Sequence, residues 1–401
     1  NTSLVFTDKL GRQLLKRQQL TANTYADTYY GYDHANNIIY IVPPKAVVKM
    51  GSNYDITVTP KLVYRFWYDA KNRVILKKVP GAAGDVYMVY DPLDRLVLMQ
   101  DGNMRISPSG AWLYFKYDNA NRVIIQGLYN HGSVQTQAQM QAIVNGQACY
   151  DANGSTPYAY FEVRQISTAS GYSNQCFPTA NTEERGYNYF DDYDFDFDGT
   201  ADYSKQDQGL ANEATATSLT HGLPTGSKTK ILGSGNPGTW LTAISFYDKY
   251  YHTIQVRSNN QIKTTVSDHT TNVVNFAGQA LQAKQVKTIG DPNGITNTLE
   301  IEVSTRYEYD DMGRLTKVKQ PNPGAAELTV AKYEYNPLGQ LVDKKLHSTD
   351  GVNYLQSIDM RYNIRGQLTS INNSTLTNDG VLNDETNDLF GMELLYNNTD
   401  A

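Results

Sequence analysis

One short pattern recurs ten times along this 401-residue chain, and it constrains the fold more than any other feature of the sequence. It reads "RYEYDDMGRLTKV" at residues 306–318, "YEYNPLGQLVDKK" at 333–345 and "FTDKLGRQLLKRQ" at 6–18. In each copy, an Asp or Asn is followed three residues later by a residue that is Gly, Asn or Asp in all copies but one. These later residues are Gly11, Asn36, Asn72, Asp94, Asn121, Tyr251, Gly278, Gly313, Gly339 and Gly366. Because Gly, Asn and Asp adopt a left-handed backbone at the lowest cost, the pattern predicts a type I turn with a G1 bulge, in which this residue has a positive φ angle.

The residues around this position predict a β-hairpin. The side chain of the Asp or Asn that begins each turn accepts a hydrogen bond from a backbone amide two residues further on. Pro92 and Pro337 follow it in two copies, at a position where a type I turn requires a φ angle of about −65°. The flanking segments are rich in Tyr, Val, Leu and Ile and alternate in part between polar and apolar residues, as strands with one covered face do. The sequence therefore predicts an all-β protein, built as an array of hairpins stacked along one continuing sheet.

The spacing of the turns predicts three segments. Most turns follow one another at short intervals, but 130 residues separate Tyr117 from Tyr247. We expect hairpins over residues 1–127, an irregular insertion with a short helix at "SVQTQAQMQAIVNGQ" over 128–239, and further hairpins over 240–401.

Composition excludes two classes of partner. The net charge is −6 and no basic stretch could follow a phosphate backbone, so nucleic acid is not expected. Apolar stretches are broken by prolines and fall short of the ~20 residues of a membrane helix, so no membrane span is expected.

The two cysteines, Cys149 and Cys176, fit a disulfide in an exported protein and two free buried thiols equally well.

One acidic segment resembles part of a calcium loop. In "DDYDFDFDGTADY", Asp194, Asp196 and Asp198 precede Gly199 in a D-x-D-x-D-G arrangement, and Asp202 could supply a further oxygen. Lys205 stands where the loop's final glutamate belongs. The segment therefore predicts either a calcium site at these four Asp residues or an acidic strand that enters an Asp-Gly turn.

The repeated segments resemble the YD repeat of the RHS family of large exported bacterial proteins, most strongly over residues 309–368. "GLPTGSKTKILG", "TWLTAISFYDKYYHTIQ" and "NDLFGMELLYNN" resemble in particular the RHS proteins of gliding bacteria that use type IX secretion. The resemblance implies a long β-sheet that coils into a hollow shell, often around a C-terminal toxin or effector. Two turns depart from the repeat, with Tyr251 at the left-handed position of one and Val274 in place of the tyrosine of the other, so we expect both turns to be remodelled.

These observations predict a structural role. The six histidines are dispersed, and catalytic residues have no reason to recur at every turn, so we expect no enzyme. We expect a segment of a longer RHS-type protein, secreted or at the cell surface, whose partners are the rest of its own polypeptide, including a toxin or effector, and the export machinery. The alternative is a surface binding or adhesion module that recognises a glycan or a partner protein, in association with the type IX secretion or gliding machinery.

Overall fold

The computed structural model describes residues 3–21, 23–51, 61–106, 110–147, 149, 160–233, 239–263, 265–289, 299–322, 324–380 and 388–396. The chain is nearly all β, with 46% of the described residues in strands and 6% in helices. Over the described residues, twenty strands join one antiparallel sheet and three more form a small second sheet. The predicted all-β fold is confirmed.

The strands of the large sheet are β1 (Ser3–Thr7), β2 (Gln13–Thr21), β3 (Thr24–Tyr32), β4 (Ile38–Val42), β5 (Tyr64–Tyr68), β6 (Val74–Lys78), β7 (Val86–Tyr90), β8 (Leu96–Gln100), β9 (Ala111–Tyr117), β10 (Val123–Asn130), β11 (Thr182–Asp191), β12 (Thr220–Lys230), β13 (Trp240–Tyr247), β14 (Thr253–Ser258), β15 (Asp268–Val274), β16 (Ala280–Ile289), β17 (Leu299–Tyr309), β18 (Leu315–Gln320), β19 (Leu328–Tyr335) and β20 (Leu341–Ser348). The small sheet contains β21 (Met360–Tyr362), β22 (Leu368–Ile371) and β23 (Met392–Glu393). The helices are α1 (Pro44–Met50), α2 (Gly102–Ile106) and α3 (Gln137–Asn145). None of the helices in the described ranges has the length and apolar character to cross a membrane.

The strands pair in the order in which they occur along the chain. Each strand from β1 to β10 pairs antiparallel with the next one. Each strand from β13 to β19 does the same, and β21, β22 and β23 pair in turn. The array is therefore a meander of hairpins, as the repeat predicts.

A β-bulge occurs at the same place in all ten repeat hairpins that the structure describes. The register shifts by one residue just after each turn, which leaves one residue of the second strand without an opposite partner. The bulged residues are Leu14, Ile39, Ile75, Val97, Ile124, Ile254, Leu281, Thr316, Val342 and Thr369. A bulge interrupts the alternation of side chains between the two faces and increases the local twist. It therefore explains why the repeat alternates only in part.

The chain divides into two compact units. Unit 1 contains Asn1–Tyr189, Asp194–Asp202 and Lys228–Gly238, and unit 2 contains Phe190–Tyr193, Tyr203–Ser227 and Thr239–Ala401. The inserted residues 128–239 are thus shared between the two units, whereas the sequence interpretation treats them as one segment.

Each unit has its own apolar core. In unit 1, Trp112 and Tyr114 on β9 are fully buried, as are Leu98 on β8 and Ile124 on β10. In unit 2, the fully buried side chains include Ile244, Phe246 and Ile254 on β13 and β14.

The predicted helix in the insertion is α3, which belongs to unit 1. It begins with a capping box, in which Thr136 and Gln139 satisfy each other's backbone amides. Met140 is fully buried. The side chain of Gln141 accepts a hydrogen bond from the Tyr90 amide and donates one to the Tyr90 carbonyl, at 3.0 and 2.7 Å, which fixes the helix against β7.

Candidate functional site

The repeat turns form the most regular set of polar contacts in the molecule. The turn residues predicted from sequence have left-handed backbones, with φ angles of 78° at Gly11, 59° at Asn72, 61° at Asn121, 80° at Gly278, 76° at Gly313, 81° at Gly339 and 74° at Gly366. The turn that begins at Asp310 is representative. The Gly313 amide donates to the Asp310 carbonyl at 2.9 Å, and Oδ1 of Asp310 accepts from the Met312 and Arg314 amides at 3.0 and 2.8 Å.

The expected remodelling of two turns is wrong. Tyr251 adopts a φ angle of 68°, and its amide donates to the Asp248 carbonyl at 3.0 Å, as in the other turns. The turn after Val274 also keeps this geometry, with Gly278 at a φ angle of 80°. A left-handed tyrosine costs roughly 1–2 kcal/mol, but Oδ1 of Asp248 accepts from the Tyr250 and His252 amides at 2.8 and 2.9 Å. The residue that begins the turn therefore sets the geometry more strongly than the left-handed residue does.

The residue that begins each turn is paired with the residue four positions later, in three chemical versions. In the charged version, an Asp carboxylate binds an Arg side chain, as in Asp8–Arg12, Asp69–Arg73, Asp91–Arg95, Asp118–Arg122 and Asp310–Arg314. Asp248 contacts the His252 ring in the same way, and this pair is ionic only when the ring is protonated. In the neutral version, an Asn amide donates to a Gln side chain at 2.8 Å, as in Asn275–Gln279, Asn336–Gln340 and Asn363–Gln367. A third version is mixed: the Asn37 amide donates to the Asp33 carboxylate at 3.0 Å, so a turn carboxylate does not require a basic partner.

The repeated tyrosine connects each hairpin to the hairpin before it. Its hydroxyl donates to the carbonyl of the residue two positions after the previous turn's left-handed residue, over 2.7–3.0 Å. These bonds are Tyr32–Gln13, Tyr68–Ile38, Tyr90–Val74, Tyr117–Leu96, Tyr309–Ala280, Tyr335–Leu315 and Tyr362–Leu341. Tyr247, the first repeat tyrosine after the insertion, donates instead to Pro224. The tyrosine is therefore a contact between repeats.

Arginine adds a second contact of this kind. The guanidinium of Arg73 lies 4.5 Å from the ring centre of Tyr90, and that of Arg95 lies 4.6 Å from the ring centre of Tyr117. Nη1 of Arg73 also donates to Asp94 in the next turn at 2.7 Å. Such a stack contributes about 0.5–1 kcal/mol at an exposed site, so the same few residues hold both the turn and its neighbour.

Replacing Gly339 with Val should cost at least ~1 kcal/mol of unfolding free energy, because a β-branched residue is strained at a φ angle of 81°. Gly339→Asn is the matched control, since Asn occupies the same position at Asn72 and Asn121 and should cost less. Urea unfolding of both variants measures the difference. Equal stability of the valine and asparagine variants would contradict the strain.

Acid should weaken the charged turns. The pKa lies below its ordinary value of 3.8 at Asp8, Asp33, Asp69, Asp248 and Asp310. For Asp310 the largest cause is the hydrogen bond from the Arg314 amide, which outweighs partial burial. A carboxylate whose pKa is lowered on folding stabilises the protein above its unfolded pKa, and this stabilisation disappears as the pH falls from 3.8 through the folded pKa.

The double variant Asp310→Asn/Arg314→Gln should therefore retain more of its stability in acid than the unmodified chain does. It carries the neutral pair that three other turns already use. Melting temperatures at pH 7 and at successively lower pH values measure the effect. A variant with the same pH dependence as the unmodified chain would argue against this role of the turn carboxylates.

The acidic loop brings together three of its four predicted calcium ligands. Carboxylate oxygens of Asp194, Asp196 and Asp202 lie within 4.8 Å of one another. Asp198 does not belong to this group, and its Oδ1 accepts hydrogen bonds from the Thr200 amide and hydroxyl at 2.8 and 2.5 Å. Partial loss of solvation, followed by the neighbouring Asp202 and Asp198 charges, raises the pKa of Asp196. The loop thus holds negatively charged carboxylates close together, and a hard cation bound between them would offset their repulsion.

If calcium binds here, millimolar calcium should raise the melting temperature, and Asp196→Asn should remove this response while slightly raising the melting temperature in EDTA. The second effect follows because the raised pKa of Asp196 marks an unfavourable charge above that pKa. Asp311→Asn, at an exposed acidic position in another turn, is the control. An identical melting temperature in calcium and in EDTA would leave only the Asp-Gly turn.

A buried ion pair in unit 1 was not expected from the sequence. Nζ of Lys116 on β9 lies 2.8 Å from Oε1 of Glu162, and their side chains are 2% and 0% exposed. The carboxylate also accepts hydrogen bonds from the Ser173 hydroxyl and from the amides of Gln175 and Cys176, at 2.6, 2.8 and 3.0 Å. Burial lowers the pKa of Lys116, and Glu162 opposes this effect. The pair connects Glu162 in the inserted segment to Lys116 on β9.

The two cysteines are joined beside this pair. Cys149 and Cys176 form a disulfide with a Cα–Cα distance of 4.8 Å. The cavity next to it, lined by Phe115, Val144 and Phe177 among others, has a volume of about 40 Å³. Such a space is small compared with the few hundred Å³ of a typical ligand cleft.

The chain matches no family model and no curated protein sequence. Solved structures similar to it include the complex TcdB2-TccC3-Cdc42, at 12% identity, with 92% of this chain and 17% of that chain covered and a TM-score of 0.40. They also include TcdB2-TccC3, at 14% identity with 92% and 17% covered and a TM-score of 0.36. A third is a Photorhabdus luminescens Tc holotoxin pore, at 12% identity with 92% and 23% covered and a TM-score of 0.26. The chain therefore spans less than a quarter of each of these chains, and at such TM-scores the likeness carries no functional conclusion.

Proposed function

We propose that the chain is a non-catalytic structural segment of an RHS-type secreted or cell-surface protein, whose hairpin array forms part of a β shell. The observation that carries the proposal is the repeated contact between hairpins, in which the tyrosine hydroxyl binds the preceding repeat in seven described cases. The repeat residues are thus used to extend one sheet, as in other repeat proteins whose units contact only their neighbours.

The proposal includes a partner within the same polypeptide. A shell of this kind would enclose a further part of its own chain, such as a C-terminal toxin or effector, and the export machinery would be a second partner. The alternative function, a surface module that binds a glycan or a partner protein, requires tyrosines that are free to contact a ligand. The half-buried repeat tyrosines have their hydroxyls engaged within the sheet, which favours the structural function.

The absence of catalysis is part of the proposal. The buried pair of Lys116 and Glu162 is closed to solvent, with 2% and 0% of the two side chains exposed, and the cavity beside it has a volume of about 40 Å³. Hydrolysis of a glycan or peptide panel that is abolished by one carboxylate substitution in residues 128–239 would overturn this part.

Limited proteolysis of the full-length protein tests whether the shell encloses another part of the polypeptide. We expect a segment outside residues 1–401 to resist protease in the intact protein and to be cleaved when Tyr90, Tyr117 and Tyr335 are all replaced by Ala. The corresponding Phe variants, which keep the rings and lose only the hydroxyls, should show intermediate protection. Cleavage at the same rate in all three proteins would contradict an enclosing role.

A further inference from the structure

Five successive turns of unit 2 each place one large apolar side chain in solvent. We call these residues, Tyr250, Phe276, Met312, Leu338 and Ile364, the apolar turn row. Their exposure ranges from 58% at Tyr250 to complete at Ile364. Single exposed apolar residues are ordinary on protein surfaces, but a contiguous set marks an interaction site.

The five turns lie side by side. Nε2 of Gln279 donates to the Gly313 carbonyl at 2.7 Å, which joins the turn of Phe276 to that of Met312. A Cβ atom on Gly339 would lie 3.6 Å from Arg314, and one on Gly366 would lie 3.3 Å from Gln340. Because neighbouring hairpins are two strands apart, their tips recur at roughly 10 Å. The apolar turn row therefore follows the tips of neighbouring hairpins.

The turns whose apolar residues are most exposed also carry the uncharged Asn–Gln pair. Phe276, Leu338 and Ile364 are the three most exposed members of the row, and their turns are the three that carry the neutral Asn–Gln pair. In each of these turns, the Asn side-chain oxygen also accepts hydrogen bonds from two backbone amides, for example those of Leu338 and Gln340 at 3.0 and 2.9 Å. Such tips combine an apolar side chain with an Asn–Gln network that is uncharged and internally bonded, and Arg365 beside Ile364 is the single charged side chain in these three turns. A polar group can leave water at low cost only when it is satisfied in this way.

We propose that the apolar turn row binds the interfacial region of a lipid bilayer. The row is a set of exposed tips, which a fluid hydrocarbon layer can surround without preformed pockets. Tyr250 at one end has the amphipathic side chain that is enriched at membrane interfaces. Asp311 lies beside Met312 in the middle of the row, so insertion is shallow. The chain carries a net charge of −6, and binding therefore depends on apolar contact rather than on attraction to anionic lipids.

Flotation with phosphatidylcholine vesicles tests the proposal. The protein should float with these vesicles, and binding should change little between low and high salt. The triple variant Phe276→Ser/Leu338→Ser/Ile364→Ser should bind at least ~10-fold more weakly, since it loses three apolar anchors. The control, Leu10→Ser/Val48→Ser/Leu219→Ser, changes three residues of similar exposure outside the row and should bind normally.

A second variant separates membrane insertion from general adhesiveness. Asn336→Asp/Gln340→Arg keeps Leu338 and restores the charged pair of the other turns, so the fold should be preserved while binding weakens. Circular dichroism and melting establish that each variant is folded. Failure of the unmodified protein to float at any lipid concentration would overturn the proposal. Self-association without lipid that the triple serine variant abolishes would overturn it in favour of a second copy of the chain.

Discussion

Glu162→Ala is expected to lower the free energy of unfolding by about 3–5 kcal/mol, the range typical of breaking one side of a buried ion pair. The Lys116 side chain is 2% exposed, so without Glu162 its ammonium group remains buried without a counter-ion. Burial already lowers the pKa of Lys116, and only the negative charge of Glu162 and a smaller effect of Glu184 oppose it. The carboxylate's three other donors, from Ser173, Gln175 and Cys176, lose their acceptor at the same time. Urea unfolding of the two proteins measures the loss.

A double variant distinguishes the energetic coupling of the two charges from the contribution of side-chain packing. Lys116→Met/Glu162→Gln removes both charges, keeps similar volumes and leaves one amide oxygen, so that the donors to only one of the two former carboxylate oxygens keep an acceptor. It should be more stable than either single variant, because neither buried charge is then left alone. Strictly additive losses would show that the two side chains contribute independently and would contradict the coupling.

The sequence contained a signal for this pair. Residues 111–117 read "AWLYFKY", and Trp112, Tyr114 and Lys116 alternate on one face of β9, where all three are buried. A lysine in register with two core aromatics predicts a buried acidic partner, because an isolated buried ammonium is too costly. The identity of that partner could not be predicted, since Glu162 lies 46 residues away in a segment without repeat or periodicity.

The hairpins were predictable because each turn is determined by local chemistry. Asp310 and Gly313 specify the geometry within four residues, and the same solution recurs with Asn336 and Gly339. The G1 bulge at the left-handed residue belongs to this local chemistry and was predicted. The further bulge in the second strand, at Thr316 for example, was not predicted, because it depends on pairing between two strands. The role of the repeat tyrosine was missed for a related reason, since the carbonyl that it binds belongs to the preceding hairpin, as Tyr90 binds Val74.

The acidic loop reproduces only part of the predicted calcium motif. The D-x-D-x-D-G spacing correctly places Asp194 and Asp196 together, and their oxygens are close to those of Asp202. It misplaces Asp198, because this side chain finds a nearer donor in Thr200, two residues on. Local side-chain bonding of this kind competes with a ligand set that sequence spacing alone describes.

Removal of the disulfide by Cys149→Ser/Cys176→Ser should lower the free energy of unfolding by about 3–4 kcal/mol, the chain-entropy value for a loop of this size. The two cysteines are 27 residues apart, so the unfolded chain gains considerable freedom when the bond is absent. Urea unfolding of the variant, and of the unmodified protein with and without dithiothreitol, measures the loss. The variant should be insensitive to the reductant.

This loss should depend on Glu162. The Cys176 amide donates to Oε1 of Glu162 at 3.0 Å, so the disulfide positions one of the donors that stabilise the buried carboxylate. In the Lys116→Met/Glu162→Gln background, where this acceptor is no longer charged, removal of the disulfide should cost less than in the unmodified chain, since residues that share a partner are not additive. An equal cost in both backgrounds would mean that the disulfide acts on the unfolded chain alone. A loss below ~1 kcal/mol in the unmodified chain would contradict a stabilising role for the bond altogether.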